Sequence, residues 1–473
     1  MENLNVIEKT DEKNFYRAVW RWHFYAGLFV VPFMVILAIT GIIYLFKPQL
    51  DVLMYRNLIF VEVGQTAFAP ADQMKTVETT YPNAKILKFR PNWEAERSSE
   101  FDILTADKRD LKIFVNPYTN QVLGELDNKN NLQYYAFEIH GKLMAGRFGE
   151  WLIELAVCWG LVLLVSGVYL WFPRGNSRFW GVLMPRLNLR SKRLFWRDLH
   201  AVVGFYGVLI VAFMIFTGLP WTDFWGKNVL RSRESYPLAN REKPKSIVPM
   251  SSLNTSGEKT IPWAVEEMPL SNSDTSHLNH EHHEKADLTA ENSSSNSTKP
   301  LNLTQILEIA KANNAPADSI IALPQTMDGI YAVTAFPNDP ANQTTLHIDQ
   351  YSGAILTDVR WKDYKLLPKT VETGIALHEG KYFGLANQFL MLFAALVVLI
   401  LAISGIAMWW SRRPKKRLGA PPMPENFPLW KTAVFIIWGL GILFPFVGIL
   451  LVCVLLFDFL VLRRNPKLKK GIG

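Results

Sequence analysis

The stretch HAVVGFYGVLIVAFMIFTG, residues 200–218, is an apolar run with a histidine at its start and glycines at 204 and 218. Residues 23–41, HFYAGLFVVPFMVILAITG, repeat it. His23 to Gly27 and His200 to Gly204 are both four positions; His23 to Gly41 and His200 to Gly218 are both 18. Apolar runs of about 20 residues, rising ~1.5 Å per residue, cross a hydrocarbon core of ~30 Å. Such runs lie near 22–46, 149–172, 201–221 and 388–410, and a longer one at 430–462 is interrupted by Pro445. The fold class that follows is a polytopic α-helical membrane bundle: a four-helix core with a C-terminal span.

Location explains the composition. The 473 residues are 49% hydrophobic, with mean hydropathy +0.08. Loop 173–197 carries Arg174, Arg178, Arg186, Arg190, Lys192, Arg193 and Arg197 and no acid; loop 411–428 carries Arg412, Arg413, Lys415, Lys416 and Arg417. The positive-inside rule puts both loops in the cytoplasm and the long segments 50–135 and 225–375 outside. The net charge of +8 therefore reports topology, and no aromatic-studded basic patch points to nucleic acid. Residues 1–21 are mixed in charge and lack a cleavage site of small residues. They read as a cytoplasmic N-terminus ahead of an uncleaved anchor. Cys158 and Cys453 both sit in apolar runs and offer neither a disulfide framework nor a thiolate metal site. One kinked span over 429–462 leaves the basic tail outside, whereas two short helices folded back leave it inside; the single span is the expectation.

The even-numbered spans repeat as well. HGKLMAGRFGEWLIELAVCWGLVLLVSGVYLWFPR begins at His140, and HEGKYFGLANQFLMLFAALVVLILAISGIAMWWSRR begins at His378. Gly146 and Gly384 follow at six positions, Ser166-Gly167 and Ser404-Gly405 at 26 and 27, Trp171 and Trp409 at 31, and Arg174 and Arg412 at 34. The chain thus reads as two half-copies in parallel orientation, each a span, an external domain and a span. Such repeats meet about an axis along the membrane normal, with function at their interface. The expected boundaries are span 1 at 22–46, an external domain at 50–135, span 2 at 140–172, span 3 at 198–221, a second external domain at 225–375 and span 4 at 378–410.

Both external segments have the pattern of small α+β modules. Residues 66–125 read as a helix (ADQMKTVETTYP), three strands (KILKFRP, EFDILTA, LKIFVNP) and a turn leading into a fourth strand (NPYTNQVLGEL). Residues 301–360 read as a helix (LTQILEIAKANNA) and strands SIIALPQ, GIYAVTAF and TTLHIDQ, then DQYSGAILTDVRW. The turns VNPYTNQVLG and IDQYSGAILT are one device, a hairpin turn before an apolar strand. Residues 231–300, rich in Ser, Asn, Glu and Pro, read as a disordered insert. Its His277, His280, His282 and His283 read as part of a polar linker, with a metal-binding tract as the alternative.

Ionisable side chains at membrane depth are costly and usually face a bundle interior or a cofactor. A lone His there suits an interfacial residue bonded to a headgroup or carbonyl, but His23, His200, His140 and His378 occupy matching repeat positions. His23 and His200 open the odd spans on the cytoplasmic side, and His140 and His378 open the even spans on the external side. Each pair is expected to face across the bundle and hold one ion. Two imidazoles from facing helices suit an iron whose other ligands come from porphyrin. A bare zinc or copper ion would want a third or fourth ligand, and no Cys, Asp or Glu recurs beside all four histidines. Glu150 and Glu154 occur in one half only, which leaves a carboxylate relay without support. Gly41 and Gly218 lie about five turns from their histidines and share their stripe. Close helix packing through small residues explains Gly27, Gly204, Gly41 and Gly218; room for a flat macrocycle explains them too, and both readings can hold. Arg21, Arg197, Arg174 and Arg412 are candidate propionate partners, with inside anchoring as the alternative, and Trp171 and Trp409 read as belt aromatics. Two haems, one near each face, would form a route for electrons across the membrane.

The architecture resembles the PepSY-associated transmembrane proteins, also called iron-regulated membrane proteins, over most of the chain. The resemblance is carried by the two turns, by RDLHAVVGFY and by FTGLPWTDFWG at 216–226. It implies PepSY-like periplasmic domains, a bacterial inner-membrane location, two haems b and reduction of ferric siderophores, with ligand roles on His23, His140, His200 and His378. The chain departs from the pattern in its long His-bearing linker and in Asn120, which stands where the second turn has Gly353.

Three functions compete. A redox protein predicts bound haem. A membrane-anchored PepSY sensor or interaction protein predicts no cofactor and leaves four repeated histidines without a reason. A transporter would want Gly- or Pro-broken helices in matching positions, but Pro32 is matched by Leu209. No G-x-G-x-x-G opens a βαβ unit, so a cytoplasmic reductase or a membrane quinol is the expected electron donor. The acceptor is expected to be a ferric chelate, although no external residue set reads as its site.

Overall fold

The computed structural model describes residues 2–173, 180–186, 191–230, 246–254, 260–275, 299–414, 417–421, 438–439, 441–442 and 444–457. The helices are α1 (Glu2–Leu45), α2 (Lys47–Ile59), α3 (Pro70–Thr80), α4 (Leu132–Lys142), α5 (Gly146–Trp171), α6 (Lys192–Gly218), α7 (Leu303–Ala312), α8 (Leu366–His378), α9 (Leu385–Arg412) and α10 (Pro445–Phe457). The chain divides into two compact units: Met1–Ile42, Glu138–Ser232 and Phe389–Gly473, and Ile43–Phe137 with Arg233–Gln388.

The first unit is built on helices long and apolar enough to cross a membrane. They are Lys13–Leu45, Gly146–Trp171, Lys192–Trp221 and Leu385–Arg412. Cys158, Leu161, Val211, Ile215 and Val397 form their buried seam, and Phe444 and Val447 of the C-terminal segment join it. Close backbone approach is built into the seam: a Cβ on Gly207 would lie 2.5 Å from Val397. The choice between one and two crossings in 429–462 turns in part on residues outside those described.

The structure corrects the placement of the histidines in the spans. His140 does not open span 2; it lies in the last turn of α4, and the span begins separately at α5. The break falls at the sequence LMAG. Leu143, Met144 and Gly146 all have positive φ, and Gly149 must lack a Cβ because one would sit 1.7 Å from the Lys142 carbonyl oxygen. His378 ends α8, and Gly380 (φ 73°) and Gly384 (φ 58°) turn the chain before α9. Asn387 Nδ2 donates to Leu377 O at 2.9 Å, and Gln388 Nε2 donates to Leu45 O at 2.7 Å. These bonds satisfy carbonyls that helix ends leave without a partner. His23 and His200 also sit inside longer helices rather than at their mouths.

The second unit holds one antiparallel sheet of eight strands: β1 (Lys85–Arg90), β2 (Ser99–Leu104), β3 (Asp110–Asn116), β4 (Gln121–Asp127), β5 (Ile320–Ala322), β6 (Ile330–Ala335), β7 (Thr344–Asp349) and β8 (Ile355–Arg360). Their order is β4-β3-β2-β1-β5-β6-β7-β8. Two separate external modules were the expectation. The structure joins their strands edge to edge through β1 and β5, with Phe89 opposite Ile321. One face carries α3 and α7. Val77, Ile306 and Leu307 pack there on Phe89, Phe101, Ile113, Ile321, Val333 and Leu346. The start of α7 is fixed by a capping box in which Asn302 Oδ1 accepts from Gln305 N and Gln305 Oε1 accepts from Asn302 N, both at 3.0 Å.

Both hairpin turns use one mechanism. Asn116 Oδ1 accepts from Tyr118 N and Thr119 N, and Asp349 Oδ1 accepts from Tyr351 N and Ser352 N. Asn120 (φ 55°) and Gly353 (φ 71°) then take the left-handed conformation, which Asn tolerates better than most residues.

The insert 231–300 is corrected in part. Residues 246–254 and 260–275 are folded, and Met250, Ile261, Val265 and Met268 are fully buried against Val359 and Tyr364. Apolar side chains scattered among Ser and Pro gave no periodic signal, yet they cover a sheet face. His277, His280, His282 and His283 lie outside the described residues.

Candidate functional site

Helices α1 and α6 bring His23 and His200 together. Their ring centroids are 6.4 Å apart and their planes nearly perpendicular, at 88°. Each ring is held by a serine from the span that follows it. His23 Nδ1 lies 2.8 Å from Ser166 Oγ, and His200 Nδ1 lies 2.9 Å from Ser404 Oγ. Each serine spends its only hydrogen on its own helix. Ser166 Oγ donates to Val162 O and Ser404 Oγ to Ile400 O, both at 2.6 Å. The hydroxyl oxygen is then left to accept from Nδ1–H. The proton is thereby placed on Nδ1, and Nε2 keeps the lone pair that a metal takes.

His140 is held in the same way. Thr40 Oγ1 donates to Ile36 O at 2.7 Å and lies 3.0 Å from His140 Nδ1. In α6, Thr217 Oγ1 makes the equivalent bond to Phe213 O at 2.7 Å. His140 belongs to the first unit and His378 to the second.

Gly41 leaves little room beside an imidazole, whereas Gly167 and Gly405 stand at about ordinary contact distance. A Cβ on Gly41 would lie 3.3 Å from His140 Cε1, one on Gly167 3.4 Å from His23 Cε1, and one on Gly405 3.6 Å from His200 Cε1. Gly27 and Gly204 face Leu163 and Leu401, where a Cβ would meet ordinary contacts of 3.9 and 3.5 Å. Gly218 is the last residue of α6.

The spacing of the pair leaves room for one metal ion between the two rings. Two metal–imidazole bonds of about 2 Å and two ring radii account for the 6.4 Å between centroids. Among the described residues no group of three or more His, Cys, Asp and Glu is placed to hold a bare ion.

The arginines near the pair have protein partners. Arg21 Nη1 donates to Pro421 O at 2.5 Å, and Arg412 lies over the Trp20 ring at 4.7 Å. Arg197 binds Asp198, a fully buried carboxylate that also accepts from the Arg186 guanidinium at 2.6 and 3.0 Å and from Arg186 N at 3.2 Å. Arg174 lies outside the described residues. Trp171 and Trp409 are not free belt residues, since their indoles donate to Val182 O and Leu418 O at 3.0 and 2.8 Å.

Two carboxylates organise FTGLPWTDFWG, a role that the sequence pattern marks for neither of them. Glu154, fully buried in α5, accepts from Phe224 N at 3.0 Å and Trp225 N at 2.9 Å. Asp223 accepts from Lys227 Nζ at 2.7 Å, Arg147 Nε at 2.9 Å and Trp151 Nε1 at 3.0 Å. The Lys227 bond leads in holding the Asp223 carboxyl down at about 2, against the burial that raises it. A glutamate in an apolar run was the available signal, but it was read only for a proton relay.

The chain matches the family model of the PepSY-associated TM region over residues 20–412. A search of curated proteins found no match. With most of its length matched by that model and four apolar helices of spanning length, this membrane protein belongs to the PepSY-associated transmembrane family.

Proposed function

We propose that this protein is a di-haem b membrane protein that passes electrons across a bacterial inner membrane to a ferric chelate on the periplasmic side. The observation that carries the reading is the His23–His200 pair, 6.4 Å apart and with each Nδ1 held by a serine. In this reading His23 and His200 hold one haem, His140 and His378 the other, and the two halves of the chain form a repeat about the membrane normal. Haem supplies one-electron transfer without a proton or hydride. The protein's own part is to orient the rings: a serine or threonine fixes the tautomer, and Gly41 keeps a Cβ from crowding His140 Cε1. The basic loops facing the cytoplasm set the direction, from a cytoplasmic reductase or membrane quinol toward the outside.

The test is to purify the full chain in detergent from haem-replete cells and record reduced-minus-oxidised spectra with a haem-to-protein ratio. Two b-type haems per chain, reduced to one in His200→Ala and one in His140→Ala, support the reading. A colourless protein overturns it and leaves the PepSY interaction module.

A further inference from the structure

The second unit contains a cavity of about 300 Å³ between α2, the start of α4 and the face of β1–β4 turned away from α3 and α7. The strands dictate its chemistry. Along β1, β2 and β3 the side chains that alternate with the apolar core are Arg90, Glu100 and Lys112. An alternating polar face usually meets water, but here α2 partly covers it. Lys112 Nζ lies 2.9 Å from Glu100, and both side chains are largely withdrawn from solvent. Lys47 and Arg97 add two further cations at the cavity wall, and Asp51 adds one acid.

Two features go beyond an internal ion network. Gln133 lines the cavity and is 5% exposed, yet its Oε1 has no hydrogen-bond partner among the described residues. Its Nε2 makes only a 3.9 Å contact to Met54 Sδ. Buried amide oxygens are nearly always paired. The lining also includes the Tyr55 and Tyr134 side chains, whose hydroxyls make no hydrogen bond among the described residues. The wall therefore offers cationic and phenolic donors for oxyanions and one buried acceptor that needs a hydrogen. Its volume lies at the lower end of ligand pockets, roughly 300–1,000 Å³.

We propose that this cavity is a binding site for a small hydroxycarboxylate: carboxylate oxygens on the Arg97, Lys112 and tyrosine side, and a ligand hydroxyl donating to Gln133 Oε1. The site is independent of the haem reading, and a chain that carries no haem tests it equally well.

The experiment is calorimetric titration of the full chain in neutral detergent with three probes: citrate, tricarballylate (citrate without its hydroxyl) and glycerol 3-phosphate. Citrate binds, tricarballylate binds at least tenfold more weakly, and Gln133→Leu removes that difference. Arg97→Gln weakens both carboxylates at least fivefold. Failure of citrate to bind, equal affinity for citrate and tricarballylate, or discrimination that survives Gln133→Leu overturns the proposal. Preference for glycerol 3-phosphate also overturns it, in favour of a lipid headgroup. Should Gln133→Leu fail to fold, Tyr134→Phe, at a half-exposed position, replaces it. A threefold or greater loss of citrate affinity supports the site, and an unchanged affinity overturns it.

Discussion

Ser404 of α9 holds His200 of α6. Its Oγ lies 2.9 Å from Nδ1 while its hydrogen goes to Ile400 O. Removing such an outer partner from a metal-binding His typically costs ~10–100-fold in metal affinity. In the proposed di-haem reading, Ser404→Ala is therefore expected to speed haem transfer to an apo-haem acceptor protein by about 10–100-fold, with Ser404→Thr restoring most of the loss. Unchanged transfer kinetics in Ser404→Ala would mean the serine does not set the ligand.

Gly207 and Gly27 predict opposite outcomes for one substitution. A Cβ at Gly207 meets Val397 at 2.5 Å, whereas one at Gly27 meets Leu163 at 3.9 Å. Valine in a helix has one strongly preferred rotamer and yields little. Gly207→Ala should cost about 1–3 kcal/mol through overpacking, while Gly27→Ala is neutral or slightly stabilising. Unfolding midpoints of the two variants in detergent read the difference.

Glu154 accepts from two backbone amides of the segment after α6. Glu154→Leu leaves both without an acceptor, at about 1–3 kcal/mol for each. Glu154→Gln keeps one acceptor oxygen and should fall between Leu and wild type. Hydrogen exchange at Phe224 and Trp225 should rise by the same order. Full protection in Glu154→Leu would contradict the assignment.

Two buried groups in the sheet unit give opposite pH slopes. Burial raises the Glu372 carboxyl from 4.5 to about 7, helped by Glu266 and Glu379 and opposed by bonds from Gln343 and Ala264 N. The folded state then holds a proton that the unfolded state has lost, so stability falls as pH rises from about 4.5 through 7. Burial lowers His347 from 6.5 to about 4. There the unfolded state binds more protons, so stability rises as pH goes from about 4 to 6.5. Glu372→Gln should leave a stability that climbs across this window, and His347→Gln one that declines. Thermal melts at stepped pH, with both variants sloping the same way, would contradict the assignment.

The spans, the four histidines and the helix-and-strand order of the external segments were legible from local pattern. Hydropathy needs only a window of sequence, and Asn116 and Asp349 announce their turns through bonds to residues two and three positions away. The histidine set was legible because each half repeats the spacing. The contacts of Gly41, Gly167 and Gly405 with imidazoles were not, because each ring lies on another helix.

Local pattern in the chain specified a membrane protein with apolar spans, repeated histidines and α+β segments, because periodicity and burial propensity are local properties. Tertiary structure alone decided three things. It joined β1 to β5 in one sheet, since backbone hydrogen bonds between strand edges carry no side-chain code. It ended α4 at Lys142, just past His140, and α8 at His378, since positive-φ breaks depend on what packs around them. It set Ser166 and Ser404 against His23 and His200, a contact between residues far apart in the chain that only the packing of helix on helix can bring within hydrogen-bond reach.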